Sequence, residues 1–453
     1  MSMLSAYREA VRPAPLGQRI GWVRQLQGLV VDAQGPDASV GELCRIELRS
    51  HEESHSEEAA KAVLAEVVGI KPGHVTLMPY GSLQGVSAGC KVVALGRQSY
   101  IGVGPELLGR VVDGFCQPMD ELPPALCSEQ RSIQAAPLNP LRRPRIQGVL
   151  ETGVRAIDGL LTLGLGQRVG IFAGSGVGKS TLLGMIAKHV RADVNVIALI
   201  GERGREVRDF LEKQLGPEGL KRSVVVVATS DQPALARIRA AYAAVTIAEY
   251  FRDAGKQVLL TMDSITRLAM ARREVGLSAG EPPTARGYTP SVFAELPQLC
   301  ERCGTSDSGG SITALMTVLV DGDDLNEPIS DSLRAILDGH VVLSRHLAHQ
   351  GQYPAIDVLK SASRLLPELT TAEERRLITE TIKQIALLER NRQMVDLGAY
   401  ERGSNPALDT ALTIDGPLQD WMRQSEGGVD RRQALNSLAQ IHAVPVSVVR
   451  GRV

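Results

Sequence analysis

The sequence predicts an α/β protein: a mostly parallel sheet wrapped by helices, preceded by a small β-domain and followed by a helical one. Three patterns carry that reading. From about Gly148 to Pro367, apolar strand-like runs alternate with helical patterns, the rhythm of a parallel sheet with crossover helices. From about Gly21 to Leu95, short β-rich runs are punctuated by glycine, which suits a small sandwich or barrel. After Thr370 the chain turns long, charged and helically periodic, as an all-α domain would.

In chain order, the first β-runs are Gly28–Val31, Cys44–Leu48, Val63–Val68, Val75–Met78 and Cys90–Leu95. Gln117–Arg145 is proline-rich and reads as an extended connection into the next domain. Strand candidates there are Arg168–Phe172, Val194–Ile200, Ser223–Ala228, Val258–Met262 and Ser311–Val320. Ala372–Val395 reads as the first C-terminal helix, with Leu377, Ile378, Ile382, Ile385 and Leu388 among its apolar positions. The boundaries expected from these shifts are a tail over 1–20, a β-domain over 21–96, an α/β domain over 97–370 and a helical domain over 371–453.

Composition narrows the function. The 453 residues suit two or three domains. At 43% hydrophobic and 22% charged, the chain has the make-up of a globular protein with a sizeable core. A net charge of -1 gives no global attraction to nucleic acid or anionic lipid, and 3% aromatics are too few for rows of base-stacking platforms. No run of apolar residues is long enough to span a membrane. Met1–Pro13 carries Arg8, Glu9 and Arg12 and lacks a signal-peptide core. Six scattered cysteines do not form a disulfide framework, and a reducing cytoplasm is the simplest expectation.

The chemistry concentrates in Arg168–Thr181, where a strand runs into Gly174-Ser175-Gly176-Val177-Gly178-Lys179-Ser180-Thr181 and then a helix. Glycines let backbone N–H groups converge on phosphate oxygens, and the helix offers its positive end to the anion. Lys179 would reach the β- and γ-phosphates, and the Ser180 hydroxyl would bind Mg²⁺. The first glycine usual in such loops is Ala173 here. Val258–Asp263 is an apolar strand ending in a carboxylate, the Walker B pattern, so Asp263 would hold Mg²⁺ through its water shell. Val194–Ile200 runs into Gly201-Glu202-Arg203-Gly204-Arg205-Glu206. Parallel strands present their carboxyl ends on one edge. Glu202 therefore belongs beside Lys179 and Asp263, placed to polarise an attacking water, and Glu206 either supports the Mg²⁺ water shell or forms an ion pair.

These residues resemble the type III protein-export ATPases of flagella and virulence injectisomes, relatives of the catalytic subunits of rotary ATP synthases. The resemblance rests on Ala173–Thr181, Gly201–Val207, Glu281–Tyr288, Leu337–Arg345 and Tyr353–Asp357, and runs from about Gly21 to Leu412. It implies a RecA-like P-loop ATPase core with an N-terminal six-stranded β-barrel and a C-terminal helical domain. It implies ATP and Mg²⁺ as ligands and a homohexamer with sites between subunits. It also implies a stator-like regulator, a central stalk protein, export substrates and chaperones, and cytoplasmic placement peripheral to the inner membrane through an export gate. Ser361-Ala362-Ser363-Arg364 is similar to the family's arginine finger, so Arg364 would enter the neighbour's site, and Tyr353 matches the tyrosine that packs on adenine. Gly287-Tyr288-Thr289-Pro290 stands where the family often has a second proline, in a loop expected to face the pore.

Cys300 and Cys303 lack the second ligand pair of a zinc site and read as small hydrophobes on one helix face. His51 and His55 read as a polar loop, and with His74 they have no ligand spacing. A rotary-synthase subunit, a RecA-like helicase or Rho-type translocase and a non-catalytic nucleotide-binding adaptor are the competing functions. Charge and aromatic content count against the translocase. Lys179, Glu202, Asp263 and Arg364 together count against the adaptor.

Overall fold

The structure is a computed structural model that describes residues 17–48, 62–96, 99–320, 324–425 and 427–443. The expectations for Met1–Pro13, His51 and His55 lie outside those residues.

The N-terminal domain is a closed barrel of six strands among the described residues. They are β1 (Ile20–Gln27), β2 (Val30–Gln34), β3 (Leu43–Glu47), β4 (Ala62–Lys71), β5 (His74–Pro79) and β6 (Lys91–Ala94). Alternate residues face inward, as a pleated strand requires. Val31 and Ala33, Cys44 and Ile46, Ala65 and Val67, and Val75 and Leu77 are all buried in one cluster. Closure comes from antiparallel pairing of β1 with β6. Gly21 allows β1 to pass the end of β2, since a Cβ there would lie 2.2 Å from the carbonyl carbon of Gly35.

The central domain is built on a sheet with nine strands among the described residues. Eight form its path: β7 (Val111–Val112), β8 (Arg168–Ala173), β9 (Val194–Ile200), β10 (Ser223–Ala228), β11 (Gln257–Asp263), β12 (Ser311–Leu319), β13 (Gly339–Leu343) and β14 (Ile356–Ser363). Their order is β14-β13-β8-β12-β11-β9-β10-β7, with Gly304–Thr305 pairing off this path onto β12. The five strands expected from sequence are β8 to β12 and lie side by side. Along the path every pairing is parallel except that of β13 with β14. Both faces are covered, and every residue of β9 and β10 is buried. The covering helices are α1 (Lys179–His189), α2 (Ala234–Asp253), α3 (Ile265–Ser278) and α4 (Pro290–Glu301). The proline-rich connection is not wholly unpaired: Glu129–Ser132 forms an antiparallel pair with Tyr100–Val103.

One buried ion pair ties this connection to the helices. Arg302, 2% exposed, donates to both carboxylate oxygens of Glu249 at 2.9 and 2.6 Å. It also donates to the Ile133 carbonyl at 2.7 Å and to Thr246 Oγ1 at 3.0 Å. Cys300 and Cys303 are buried beside it. Burial pushes the Cys303 thiol up to about 12 and raises that of Cys300 as well, so both behave as small hydrophobes.

The C-terminal helices are α5 (Ala372–Asp396), α6 (Pro406–Met422) and α7 (Arg431–Ala443). Thr371 and Glu374 close a capping box at the start of α5. Trp421 anchors α6 to the core: a Cβ on Gly159 would sit 2.8 Å from its ring. No helix among the described residues is long and apolar enough to cross a membrane.

Arg302→Met should leave the Glu249 carboxylate buried and uncompensated, at a cost of about 3–5 kcal/mol in denaturant unfolding of the central domain. Adding Glu249→Met should recover much of that loss. A single-mutant loss below about 1 kcal/mol would show that the pair is not structural.

Candidate active site

The phosphate loop follows from the end of β8. Gly174 and Val177 are buried, Ser175 and Gly176 are exposed, and Gly178 is the N-cap of α1 with no side-chain cap bond. Gly176 and Gly178 hold φ of 77° and 88°, a region that favours glycine. A Cβ at Gly178 would also press within 3.2 Å of the Tyr353 ring. Tyr353 is 46% exposed, with its ring laid against the loop, so it is not a buried structural tyrosine. Ser180 and Thr181 are exposed in the first turn of α1.

Lys179 lies at the first turn of α1 and ion-pairs with Asp263 Oδ1, at the end of β11. Its ammonium is also 3.6 Å from Glu202 Oε1, just past the end of β9. Three strand ends on the carboxyl edge thus converge, as expected from the motifs. Thr317 of β12 donates to Asp263 Oδ1 at 2.7 Å and fixes that carboxylate.

Glu202 is 7% exposed. Burial is the first cause that raises its carboxyl from 4.5 to about 7, and a hydrogen bond with Glu206 adds to it. Lys179 and Arg267 pull the other way. The Glu206 carboxyl is lowered, first by that same hydrogen bond. Glu206 also lies 3.5 Å from Arg203 in an exposed ion pair. Glu202 Oε1 is buried without a hydrogen-bond partner. An orphaned acceptor beside a phosphate loop fits the placement of a water, which can donate to it.

Arg267 and Thr317 are the site residues that motif reading passes over. Arg267 Nε is 3.6 Å from Glu202 Oε1, and Nη1 donates to the Gly201 carbonyl. Gly201, at φ 72°, leaves room for it, because a Cβ there would lie 2.8 Å from Arg267 Cδ. The available signal was spacing: Arg267 stands four residues after Asp263, in the first turn of α3. Ser264 caps that turn, accepting from Arg267 N at 3.3 Å. For Thr317 the signal was a hydroxyl inside an otherwise apolar strand segment, Ala314–Leu319.

Arg364 is not brought to this cluster. It sits in an exposed turn just after β14, where Nη2 donates to the Arg334 carbonyl at 3.1 Å. Because β14 runs antiparallel to β13, Ser363 pairs with Gly339, and Gly339 pairs with Val169 near the start of β8. The phosphate loop begins after Ala173, four strand residues or about 13 Å further along, with Lys179 beyond it. An arginine side chain does not span that distance around the sheet.

Comparison with known proteins gives this geometry a lineage. Residues 153–363 match the nucleotide-binding domain of the ATP synthase alpha/beta family, and residues 23–96 match its beta-barrel domain. Residues 370–440 match the T3SS EscN ATPase C-terminal domain. The flagellum-specific ATP synthase of Bacillus subtilis is 51% identical over 409 residues, covering 90% of this chain and 91% of that one. The chain belongs to the type III protein-export ATPases. A type 3 secretion system ATPase from Xanthomonas euvesicatoria is 47% identical over 90% of each chain. The assembled ATPase EscN of enteropathogenic E. coli superposes with a TM-score of 0.87 at 44% identity, covering 93% of this chain and all of that one. EscN in complex with its central stalk EscO matches at a TM-score of 0.85 and 43% identity, again over 93% and 100% of the two chains. As a member of this family, the chain binds nucleotide and hydrolyses ATP.

Burying Glu202 has a pH signature in this export ATPase. With a folded carboxyl near 7 against an ordinary 4.5, the folded state holds the proton more tightly. That contribution to stability is fully present below pH 4.5 and lost as pH rises through about 7. Glu202→Gln is neutral throughout. Without nucleotide it should therefore melt a few degrees above wild type at pH 8, with the gap closing toward pH 5. A gap independent of pH, followed by circular dichroism, would contradict the assigned shift.

Proposed function

We propose that this chain hydrolyses ATP in a homohexamer whose sites are completed across subunit boundaries, in the service of a flagellar export apparatus. The observation that carries the proposal is the separation of Arg364 from Lys179, Glu202 and Asp263 by the depth of the sheet. An arginine that acts on the γ-phosphate from that edge acts on a neighbour's.

The residues then divide the work. Backbone N–H groups of Gly174–Gly178 and the N-terminus of α1 hold the phosphates, and Lys179 leaves its carboxylate partners to neutralise the β- and γ-oxygens. Tyr353 stacks on the adenine beside Gly178. Ser180, Asp263 and Glu206 would hold Mg²⁺, which when bound supplies positive charge against the β- and γ-phosphates. Glu202 in its ionised form orients and polarises the attacking water, with Arg267 favouring that form. The neighbour's Arg364 spreads the charge that develops on the phosphoryl oxygens.

The similarity to flagellum-specific relatives supports a flagellar system. In that system the ring works in the cytoplasm, peripheral to the inner membrane at the export gate. It takes a stator-like regulator, chaperones and export substrates as partners, with no nucleic acid. A central stalk partner is supported by the complex of EscN with EscO. Use by an injectisome is the second reading, favoured by the similarity to the Xanthomonas enzyme and EscN.

Lys179→Ala should fold and lose nearly all turnover, and Arg364→Ala should lower kcat about 10³-fold with little change in ATP binding. Mixing the two inactive variants should restore part of the activity. Wild-type specific activity should also rise with protein concentration as rings assemble. A fully active wild-type monomer, independent of concentration, would refute the shared site.

A further inference from the structure

The ring of Tyr353 rests on the phosphate loop, and its backbone is held from another domain. Its carbonyl accepts from the backbone N–H of Gln424 at 2.9 Å, just beyond the end of α6 in the C-terminal helices. Gln424 is 5% exposed, and its side chain uses both ends of its amide. Oε1 accepts from the Arg155 backbone N–H at 2.9 Å. Nε2 donates to the Gly153 carbonyl and to the Gly427 carbonyl, each at 2.8 Å. One residue thus joins the C-terminal segment, the Gly153 loop and the strap that carries Tyr353.

The surroundings leave this junction little freedom. The Gly153 loop is fixed from below by Asp158, which accepts from the backbone N–H groups of Thr152 and Gly153 at 2.9 and 2.8 Å. Val429 N donates to the Gly153 carbonyl at 3.0 Å. Gly153 and Gly428 both press on His189, the last residue of α1: a Cβ on either would come within 2.6 Å of that side chain. The clamp therefore grips the far end of the phosphate-loop helix while it holds Tyr353 at the near end. The amide is also chemically specified. It faces one N–H on its oxygen side and two carbonyls on its nitrogen side, so a carboxylate of the same shape would set oxygen against oxygen.

We propose that Gln424 is a positioning residue for the adenine side of the nucleotide site, holding Tyr353 in place from the C-terminal domain. This rests on the adenine-stacking reading of Tyr353. Gln424 does not touch the reacting atoms, so its effect falls on nucleotide affinity rather than on the chemical step.

The test compares Gln424→Glu, Tyr353→Ala and the double variant in the full-length ATPase, reading KM for ATP and kcat separately. Gln424→Glu should raise KM roughly threefold to tenfold and leave kcat within about twofold. In the Tyr353→Ala background the same change should add almost nothing, because Gln424 acts through that ring. If Tyr353→Ala raises KM while Gln424→Glu does not, the adenine reading stands and the proposal is overturned. If the two effects simply multiply, or if kcat falls with Gln424, the role is structural and the proposal is overturned. If Tyr353→Ala leaves KM unchanged, the adenine reading fails and takes the proposal with it. Gln424→Asn, neutral but one methylene short of the Arg155 and Gly153 contacts, carries the same comparison should the charged variant not fold.

Discussion

A parallel sheet delivers every strand's carboxyl end to one edge. In this chain β8, β9 and β11 bring Lys179, Glu202 and Asp263 to that edge, although the three residues are far apart in sequence. The last strand, β14, is the exception. Its antiparallel pairing with β13 returns the chain to the opposite edge, where Arg364 leaves the sheet. Strand direction alone therefore separates the phosphate site from the arginine. Function, if it needs both, needs a second subunit. In the proposed ring that need is set by topology.

The same edge concentrates charge at some cost. Lys179 stands between two carboxylates, and Arg267 approaches one of them from α3. The cations do not fully offset burial at Glu202, so its carboxyl lies near 7. In the proposed mechanism, the carboxylate that polarises water is thus kept close to its own titration. The Arg302–Glu249 pair differs in being fully satisfied. There every guanidinium nitrogen finds a partner, and the pair locks the connection to α2 and α4.

Most of the central domain was legible because buried parallel strands are continuous apolar runs bounded by turns. Val194–Ile200 and Ser223–Ala228 could hardly be read otherwise. β14 was harder. Its residues Lys360, Ser361 and Ser363 are polar and it lies at the sheet edge, so the arginine after it reads as a loop residue. β1 escaped for a similar reason: only Trp22's neighbours Gly21 and Val23 face inward, and Trp22 itself is 50% exposed. The phosphate loop, Glu202 and Asp263 lie in contiguous motifs and were found. Arg267, Thr317 and Gln424 act across elements distant in sequence. Gln424 is one glutamine after α6 with no periodic or motif signal, and only the fold shows that its amide meets Gly153 and Arg155.

The central claim is that the site becomes complete only between two copies of this chain. A structure of the assembled protein with ADP and aluminium fluoride, which mimics the transferring phosphoryl group, measures this directly. The account predicts that the guanidinium at the fluoride comes from Arg364 of the adjacent subunit, while Lys179 and Glu202 come from the subunit that holds the nucleotide. A transition-state complex in which Arg364 stays at the far edge of every sheet, or in which one isolated chain supplies all the contacts, would contradict it.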